Sequence, residues 1–592
     1  MTLHGPPAPP ARYPTLAAAL AAAAAHPSGV TFVDLHEHET RLSFAEVRER
    51  ARRAAAALAS WGVRPGDAVA IVLRTEPAFL DAFFGAWLAG AVPVPLYPPV
   101  RLGRMAEWVA STARMLEVSR AVVVVSGGGT RRLLGEAVAR AHPALGCRDA
   151  TELLRAPGTR PRPVSPDELG LIQFSSGSTV DPKPVALTHV ALQAQADALV
   201  ALVRPTARDV LVSWLPLYHD MGLIGCLLGA VSYPGPLVLL APECFLARPA
   251  LWLRAIARHG GTISAAPSFA YAYCAERVAD ADLAGCDLST WRLALDGAEP
   301  VSAAAMRRFG ARFAGRGFDP AALVPVYGLS EAALAVTFAA PGRPRAGAAV
   351  DARRLARDGI VAPGTREIAS VGAPIPGVAV QIRGGRRSLP EGRLGRIWVR
   401  GPSLMREYLG DPAATARALV DGWLDTGDLG FVQGGELFVH GRAKDLVIVG
   451  GANHAPEEYE SALAAVPGLR PGGAVALGFT PEAGGGEALL ILAERAPATA
   501  LADAELEAGV RRAVRERSGL APHTVRILAP GTLPRTSSGK LRRQEALRRF
   551  TAGALHPPAR VGPVRLALAA ARSQLGYARA RVRRLRRLQW TA

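Results

Sequence analysis

Lysine is almost missing from this chain. Of its 69 basic residues all but three are arginine, and the three lysines are Lys183, Lys444 and Lys540. Cysteine is scarce too: five residues, an odd number, with no C-x-x-C pair. That argues against a disulfide framework or a zinc site and fits a reducing cytosol. Acidic residues fall short of basic ones, leaving a net charge of +19. No zinc-finger, helix-turn-helix or aromatic-platform pattern accompanies the charge, so nucleic acid is not implied as a partner. A basic surface would instead attract acidic partners. The uncharged run Met221 to Pro242 is broken by Ser232-Tyr233-Pro234-Gly235-Pro236. It reads as a buried helix, a turn and a strand over Leu237–Leu240, and no transmembrane helix is expected. Leu16 to Ala25 follows a proline-rich rather than a basic stretch, so it reads as a first helix and not a signal segment.

What is present is a large apolar fraction, 49% of 592 residues, enough for more than one folded unit. Short β-branched runs at Val69–Leu73, Ala121–Val125, Leu171–Phe174 and Val210–Trp214 alternate with helical stretches at Ala45–Ser60 and Phe79–Ala89. This predicts α/β units with parallel sheets. From about 360 short strands between Gly/Pro turns (Ala379–Arg383, Gly395–Val399, Gly435–Val439) predict a β-rich subdomain. A boundary is expected near 441–445. It divides a large domain, 1–441, from a small mobile α+β domain, 442–550, with a helix at Pro456–Ala465, strands at Ala474–Phe479 and Ala488–Ala493, and a helix at Asp503–Ser518. The tail, 551–592, has no acidic residue and nine arginines between 560 and 587. Leu568, Leu575 and Val582 are seven apart, as in an amphipathic helix. A solvated tail, an interfacial membrane anchor and a dock for an acidic partner all remain open.

Six stretches carry chemistry. Phe174-Ser175-Ser176-Gly177-Ser178-Thr179-Val180-Asp181-Pro182-Lys183 follows a strand. Its small residues let backbone N–H groups and hydroxyls approach a phosphate, and Lys183 adds charge; Walker A spacing is absent. Trp214-Leu-Pro-Leu-Tyr218-His219-Asp220-Met221-Gly222 ends another strand, where parallel sheets bind ligands. Val326-Tyr327-Gly328-Leu329-Ser330-Glu331 offers a ring that can stack on a purine and a carboxylate suited to Mg²⁺. Asp425-Thr426-Gly427-Asp428 and Gly441-Arg442-Ala443-Lys444-Asp445 offer a carboxylate for ribose hydroxyls and an arginine for a phosphate. Pro534-Arg535-Thr536-Ser537-Ser538-Gly539-Lys540 presents one lysine. A chain this averse to lysine would use arginine for any merely solvated charge, so three lysines in three such stretches point to a need for a compact ammonium.

In this order the motifs resemble the adenylate-forming superfamily of acyl-CoA synthetases, luciferases and peptide-synthetase adenylation domains, from about Thr15 to Phe550. Within it the chain is most similar to fatty acyl-AMP ligases, through Trp214 to Gly225, Gly297-Ala298-Glu299-Pro300, and Asn453-His454 before Pro456. The long stretch from Phe338 to Ile375 resembles the region where those ligases carry extra sequence that disfavours CoA. The resemblance implies ATP and Mg²⁺ as cofactors, a fatty or related acid as substrate, and the phosphopantetheine of an acyl carrier protein as acceptor. It implies that Ser175 to Lys183 cover the β- and γ-phosphates, and that Asp296, Gly297, Ala298, Glu299, Tyr327, Gly328 and Ser330 surround the nucleotide. Glu331 would bind Mg²⁺, Asp428 the ribose with help from Arg442, and Lys444 would be a hinge. Lys540 would bridge the acyl carboxylate and α-phosphate. His219 would lie by the carboxylate, with Trp214, Tyr218, Asp220 and Met221 along the acyl and acceptor channel. The chain departs from the family at Val180 and Pro184, where glycine is usual, and at Gly450 and Ala452, where arginine is usual. An acyl-CoA synthetase and a degenerate binding protein remain the alternatives. A cytoplasmic location is expected, with the tail at the inner face of a membrane as a further option.

Overall fold

The computed structural model describes residues 1–99, 102–175, 182–342, 347–449, 452–481, 487–536, 539–559 and 562–590, with side chains as far as Arg583. Val180 and Gly450 therefore lie outside the described residues, as do Ser176, Gly177, Ser178 and Thr179.

Apolar five-residue runs such as Ala68–Val72, buried at every position, are what a parallel sheet covered on both faces requires. That strand lies in a four-stranded parallel sheet, in the order Val92–Pro95, Ala68–Val72, Val123–Ser126, Gly146–Asp149. A second, nine-stranded sheet has a parallel centre: Leu323–Gly328, Leu293–Asp296, Ile263–Ala266, Leu211–Ser213, Leu237–Leu240 and Gly29–Val33 in spatial order. Antiparallel strands close both of its edges. Some helices between strands start at a side-chain cap, as at Ser43, Thr188 and Ser302. Ahead of Phe44–Ser60, the Ser43 hydroxyl accepts from Glu46 N while Glu46 accepts from Ser43 N.

Beyond residue 360 the chain supplies six strands of a seven-stranded antiparallel sheet built on Ala379–Gly384, Gly395–Arg400, Trp423–Gln433 and Glu436–Arg442, and the N-terminal strand Thr2–His4 adds the seventh beside Ala379–Gly384. A smaller C-terminal domain follows. It has the three-stranded sheet Leu469–Phe479, Ala488–Arg495, Thr524–Leu528 and helices Pro456–Leu463, Asp503–Ser518 and Arg543–Thr551. The α/β class and the large-plus-small arrangement are those expected from the alternation of patterns. Among the described residues no helix is long and apolar enough to cross a membrane.

The tail differs from a solvated end. It forms the helix Pro563–Trp590, which packs along the Gly128–Ala141 helix of the large domain. Two glycines permit the approach. A Cβ on Gly135 would lie 1.9 Å from Ser573 O, and one on Gly576 would lie 2.4 Å from Gly135 O. The Gly135 N–H donates to Ser573 Oγ at 2.7 Å, and the Tyr577 hydroxyl donates to Arg131 O at 2.7 Å. Leu568, Leu575 and Val582 are on the other side, each about half exposed or more. The heptad stripe of the sequence is thus the face turned away from the protein.

Gly135→Val is expected to lift the tail helix, because overpacking typically costs about 1–3 kcal/mol. Hydrogen exchange across 569–580 should speed up roughly tenfold to a hundredfold, while exchange in the nine-stranded sheet stays unchanged.

Candidate functional site

The carboxyl ends of the central parallel strands open into one cavity of about 460 Å³, within the usual range for small-molecule sites. All three lysines of the chain line it. Lys183 comes from the start of the strand Pro184–Thr188, Lys444 from a turn leaving Glu436–Arg442, and Lys540 from the small domain. The Lys540 loop is a tight reversal. Thr536 N donates to Lys540 O at 2.7 Å, Lys540 N donates back to Thr536 Oγ1 at 3.1 Å, and Gly539 takes a φ of 94° that a side chain would strain.

Around Lys540 the walls are anionic. His219 and Asp220 arrive on the turn after Leu211–Ser213 and begin the π-helical segment Met221–Leu228. Asp220 accepts from Met221 N at 2.7 Å, lies 2.7 Å from His219 Nδ1, and accepts from the Ser330 hydroxyl. Burial opposes its charge, but the His219 ring, the Ser330 hydroxyl and Lys540 hold its carboxyl well below the usual carboxylate range. Burial pushes Glu299 up, against a 2.7 Å hydrogen bond from Phe269 N and the charge of Lys540. Lys540 is itself pulled below the ordinary lysine range by desolvation, offset by Asp220 and Glu299. His219 Nε2 is buried with no partner among the described residues.

Opposite, the Tyr327 hydroxyl donates to Asp428 Oδ2 at 2.7 Å, and Arg442 Nε pairs with Asp428 Oδ1 at 3.2 Å. Burial raises Tyr327 far above the usual phenol range, with Asp428 adding to the shift. Glu331 accepts from the Tyr408 hydroxyl at 2.8 Å, and Lys183 Nζ sits 4.3 Å from the centre of the Tyr408 ring. Tyr408 was not singled out from the sequence. The strand pair Tyr408–Val185 brings it beside Lys183 from a segment with no motif of its own.

Beyond this polar end the cavity continues as an apolar arm. Leu199 and Val203 line it from the helix His189–Val203, and Cys226 and Ala230 line it from the segment after Asp220. The sequence offered no sign of which face of that helix would line a pocket.

Several expected residues are placed elsewhere. Trp214 does not line the cavity; it stacks on Phe245 at 3.9 Å within a buried aromatic cluster that includes Trp252 and Phe269. Tyr218 is also buried away from the lining, its carbonyl accepting from Gln173 Nε2. Asp296 is fully buried and accepts from the Ser268 hydroxyl. Gly297, Glu299 and Asp428 stand behind the wall, while Ala298, at a strained φ of 69°, reaches it. Ser175, Met221, Gly328, Ser330, Glu331 and Arg442 all line it. For a divalent ion the fit is adequate but incomplete on protein atoms alone. Glu331 supplies one half-buried carboxylate, and among the described residues no group of three or more His, Cys, Asp or Glu is placed to hold a metal. Mg²⁺ commonly takes one or two carboxylates and completes its shell with substrate phosphates and water.

An α/β scaffold with a small domain delivering a lysine to such a cavity defines a nucleotide-using ligase fold. The sequence model of the AMP-binding enzyme family matches residues 20–409, and the chain belongs to that family. It is 35% identical over 554 residues, 92% of this chain and 96% of the relative, to a Caulobacter vibrioides protein whose name assigns it provisionally to the acyl-CoA synthetases. It is 31% identical over 540 residues (87% and 90%) to JamA of Moorena producens, a medium-chain-fatty-acid–[acyl-carrier-protein] ligase. Among solved structures, one from a study of fatty acyl-adenylate ligases of E. coli and L. pneumophila superposes with a TM-score of 0.87 at 33% identity, covering 92% of this chain and 99% of that one.

With three lysines in the chain, reductive ¹³C-methylation should give three assignable side-chain resonances. Lowered pKa values mean that the proton leaves at lower pH. Lys540 and Lys444 are therefore expected to titrate below the ordinary value near 10.4, with Lys540→Arg and Lys444→Arg identifying their signals.

Proposed function

We propose that this chain activates a fatty or related carboxylic acid as its acyl-adenylate, using ATP and releasing pyrophosphate, and passes the acyl group to the phosphopantetheine thiol of an acyl carrier protein. The observation that carries the reading is the convergence of all three lysines on a cavity with one charged end and one apolar arm.

In the first step a carboxylate oxygen forms a bond to the α-phosphorus, and the bond from that phosphorus to the bridging oxygen of pyrophosphate breaks. Both reactants are anions, so the step depends on neutralisation and alignment. Lys540 places its ammonium between acyl carboxylate and α-phosphate. His219, whose Nε2 has no partner among the described residues, faces the carboxylate, and Asp220 holds the ring. Ser175 to Lys183 take the β- and γ-phosphates, with Lys183 leaving the Tyr408 ring for them. Tyr327 and Ala298 flank adenine. Asp428 takes the ribose hydroxyls on the lone pairs left after each of its oxygens has accepted one bond, from Tyr327 and from Arg442. Mg²⁺, when bound through Glu331 and the phosphates, supplies further charge neutralisation. In the second step Lys540 withdraws as the small domain turns about Lys444, the thiol gives its proton to water, its sulfur bonds to the acyl carbon, and the bond from that carbon to the phosphate oxygen breaks to release AMP. We place the domain limits at 1–441, 442–550 and 551–592.

The name of JamA favours a carrier protein over free CoA, and one contact ties the extra stretch to the small domain. Within the extra stretch between Phe338 and Ile375, Arg366 forms a buried pair with Glu458 of the small domain at 3.1 Å. Both partners are nearly inaccessible, so breaking it would strand a charge, which typically costs about 3–5 kcal/mol. An acyl-CoA synthetase is the second reading, favoured by the name of the Caulobacter relative. For location, we propose a cytoplasmic protein whose basic tail meets a membrane face peripherally.

Acid-dependent pyrophosphate exchange tests the first step. Lys540→Ala should lower it by on the order of 10²–10³, and the parent's rate should decline on the alkaline side before the ordinary lysine range is reached. Exchange at full rate in Lys540→Ala would remove Lys540 from the chemistry. The second step is tested by offering ATP, Mg²⁺ and an acid panel with either CoA or holo carrier protein. Carrier-protein acylation is expected to dominate, and efficient acyl-CoA formation would establish the second reading instead.

A further inference from the structure

The tail helix uses one side to grip the large domain and leaves the other uncovered. At 100° per residue, Ala569, Ser573, Gly576 and Ala580 share the gripping side. Ser573 and Gly576 are buried there against the Gly128–Ala141 helix. The opposite side carries Val564, Leu568, Leu575 and Val582, with exposures of 73%, 54%, 59% and 50%. A folded surface rarely leaves an apolar stripe of this length bare without a use. Arg572 and Arg579, both exposed, stand one turn on from Leu568 and Leu575 and so flank the stripe along the same side. Docking fixes the rotation of the helix, so the stripe points away from the large domain.

The geometry points to this outward face as a binding surface for an anionic lipid bilayer, the apolar side chains entering the headgroup–acyl boundary and the flanking arginines pairing with lipid phosphates. The inference rests on the peripheral-membrane reading of the tail and names the face that carries it. Charge chooses among occupants. A second copy of this helix would set arginine rows against arginine rows. An acidic soluble protein would satisfy the arginines, but the stripe would also need a matching apolar groove. An anionic bilayer satisfies both at once, as for amphipathic helices lying in an interface. It would also hold the ligase where a fatty acid partitions.

The test uses the full chain with sedimenting vesicles, either phosphatidylglycerol with phosphatidylcholine or phosphatidylcholine alone. The parent should bind the anionic vesicles, weaken as salt rises, and leave the neutral ones in solution. Two variants divide the reading. Leu568→Glu with Leu575→Glu alters the stripe. Arg565→Gln, Arg572→Gln, Arg579→Gln and Arg581→Gln together remove charge without touching the stripe. Each set is expected to lower partitioning at least about tenfold, with pyrophosphate exchange unchanged as the check on folding. If the arginine set abolishes binding and the stripe set leaves it intact, the tail still meets membranes but the face assignment is wrong. If the parent binds neither vesicle, the membrane reading fails and the inference falls with it. A lipid-free dimer dissolved by the stripe variant, or a carrier-protein complex dissolved by it, would give the face to a different occupant and overturn the proposal.

Discussion

The ammonium of Lys540 enters a cavity where Asp220 in the wall and Glu299 behind it supply the opposite charge. Burying a cation costs several kcal/mol unless carboxylates face it, and the rest of the site follows from supplying them. Asp220 must stay ionised inside a dry turn, so it is surrounded by His219, the Ser330 hydroxyl and the Met221 amide. Ser330 comes from the end of a different strand, so its bond to Asp220 ties together the turns after Leu211–Ser213 and Leu323–Gly328. The strained Ala298 and the close passage of the Gly297 segment against Val326 belong to the same packing, because these turns share one small volume.

The charge pattern also explains why the small domain lies where it does. Lys540 is the attraction at one end. At the other, the Arg366–Glu458 pair lies buried beside His440, whose imidazole burial drives down to about 3. A neutral histidine there adds no positive charge next to Arg366, so the pair needs no further counter-ion. Further bonds between the domains run from Arg104 to the Gly531 and Thr532 carbonyls and from Arg549 to Glu107.

Much of this was legible in the sequence because the relevant signals are local. Strand and helix limits such as Leu237–Leu240 and Asp503–Ser518 coincide with their patterns, since period and capping are written within a few residues. Lysine rarity picked out three distant loops that the fold brings to one cavity. What stayed hidden depends on long-range packing. Trp214 lies five residues from His219, yet the turn between them sends the indole into the aromatic cluster around Phe245. Tyr408 reaches Glu331 and Lys183 through strand pairing that no local spacing records. The heptad Leu568, Leu575, Val582 suggested the helix but not its orientation. That was decided by two glycines, one of them some 440 residues earlier.

The docked tail changes the mechanical status of the small domain. The large domain holds the chain before it, where Glu436–Arg442 pairs with Trp423–Gln433, and again after it, through the helix that begins at Pro563. Eleven residues, 552–562, separate that helix from Arg543–Thr551, and fully extended they span roughly 36–40 Å. The small domain is therefore a bracketed insert rather than a free appendage. Its excursions are those of a body on a short second leash, and the same leash keeps it near its cavity each time it swings away.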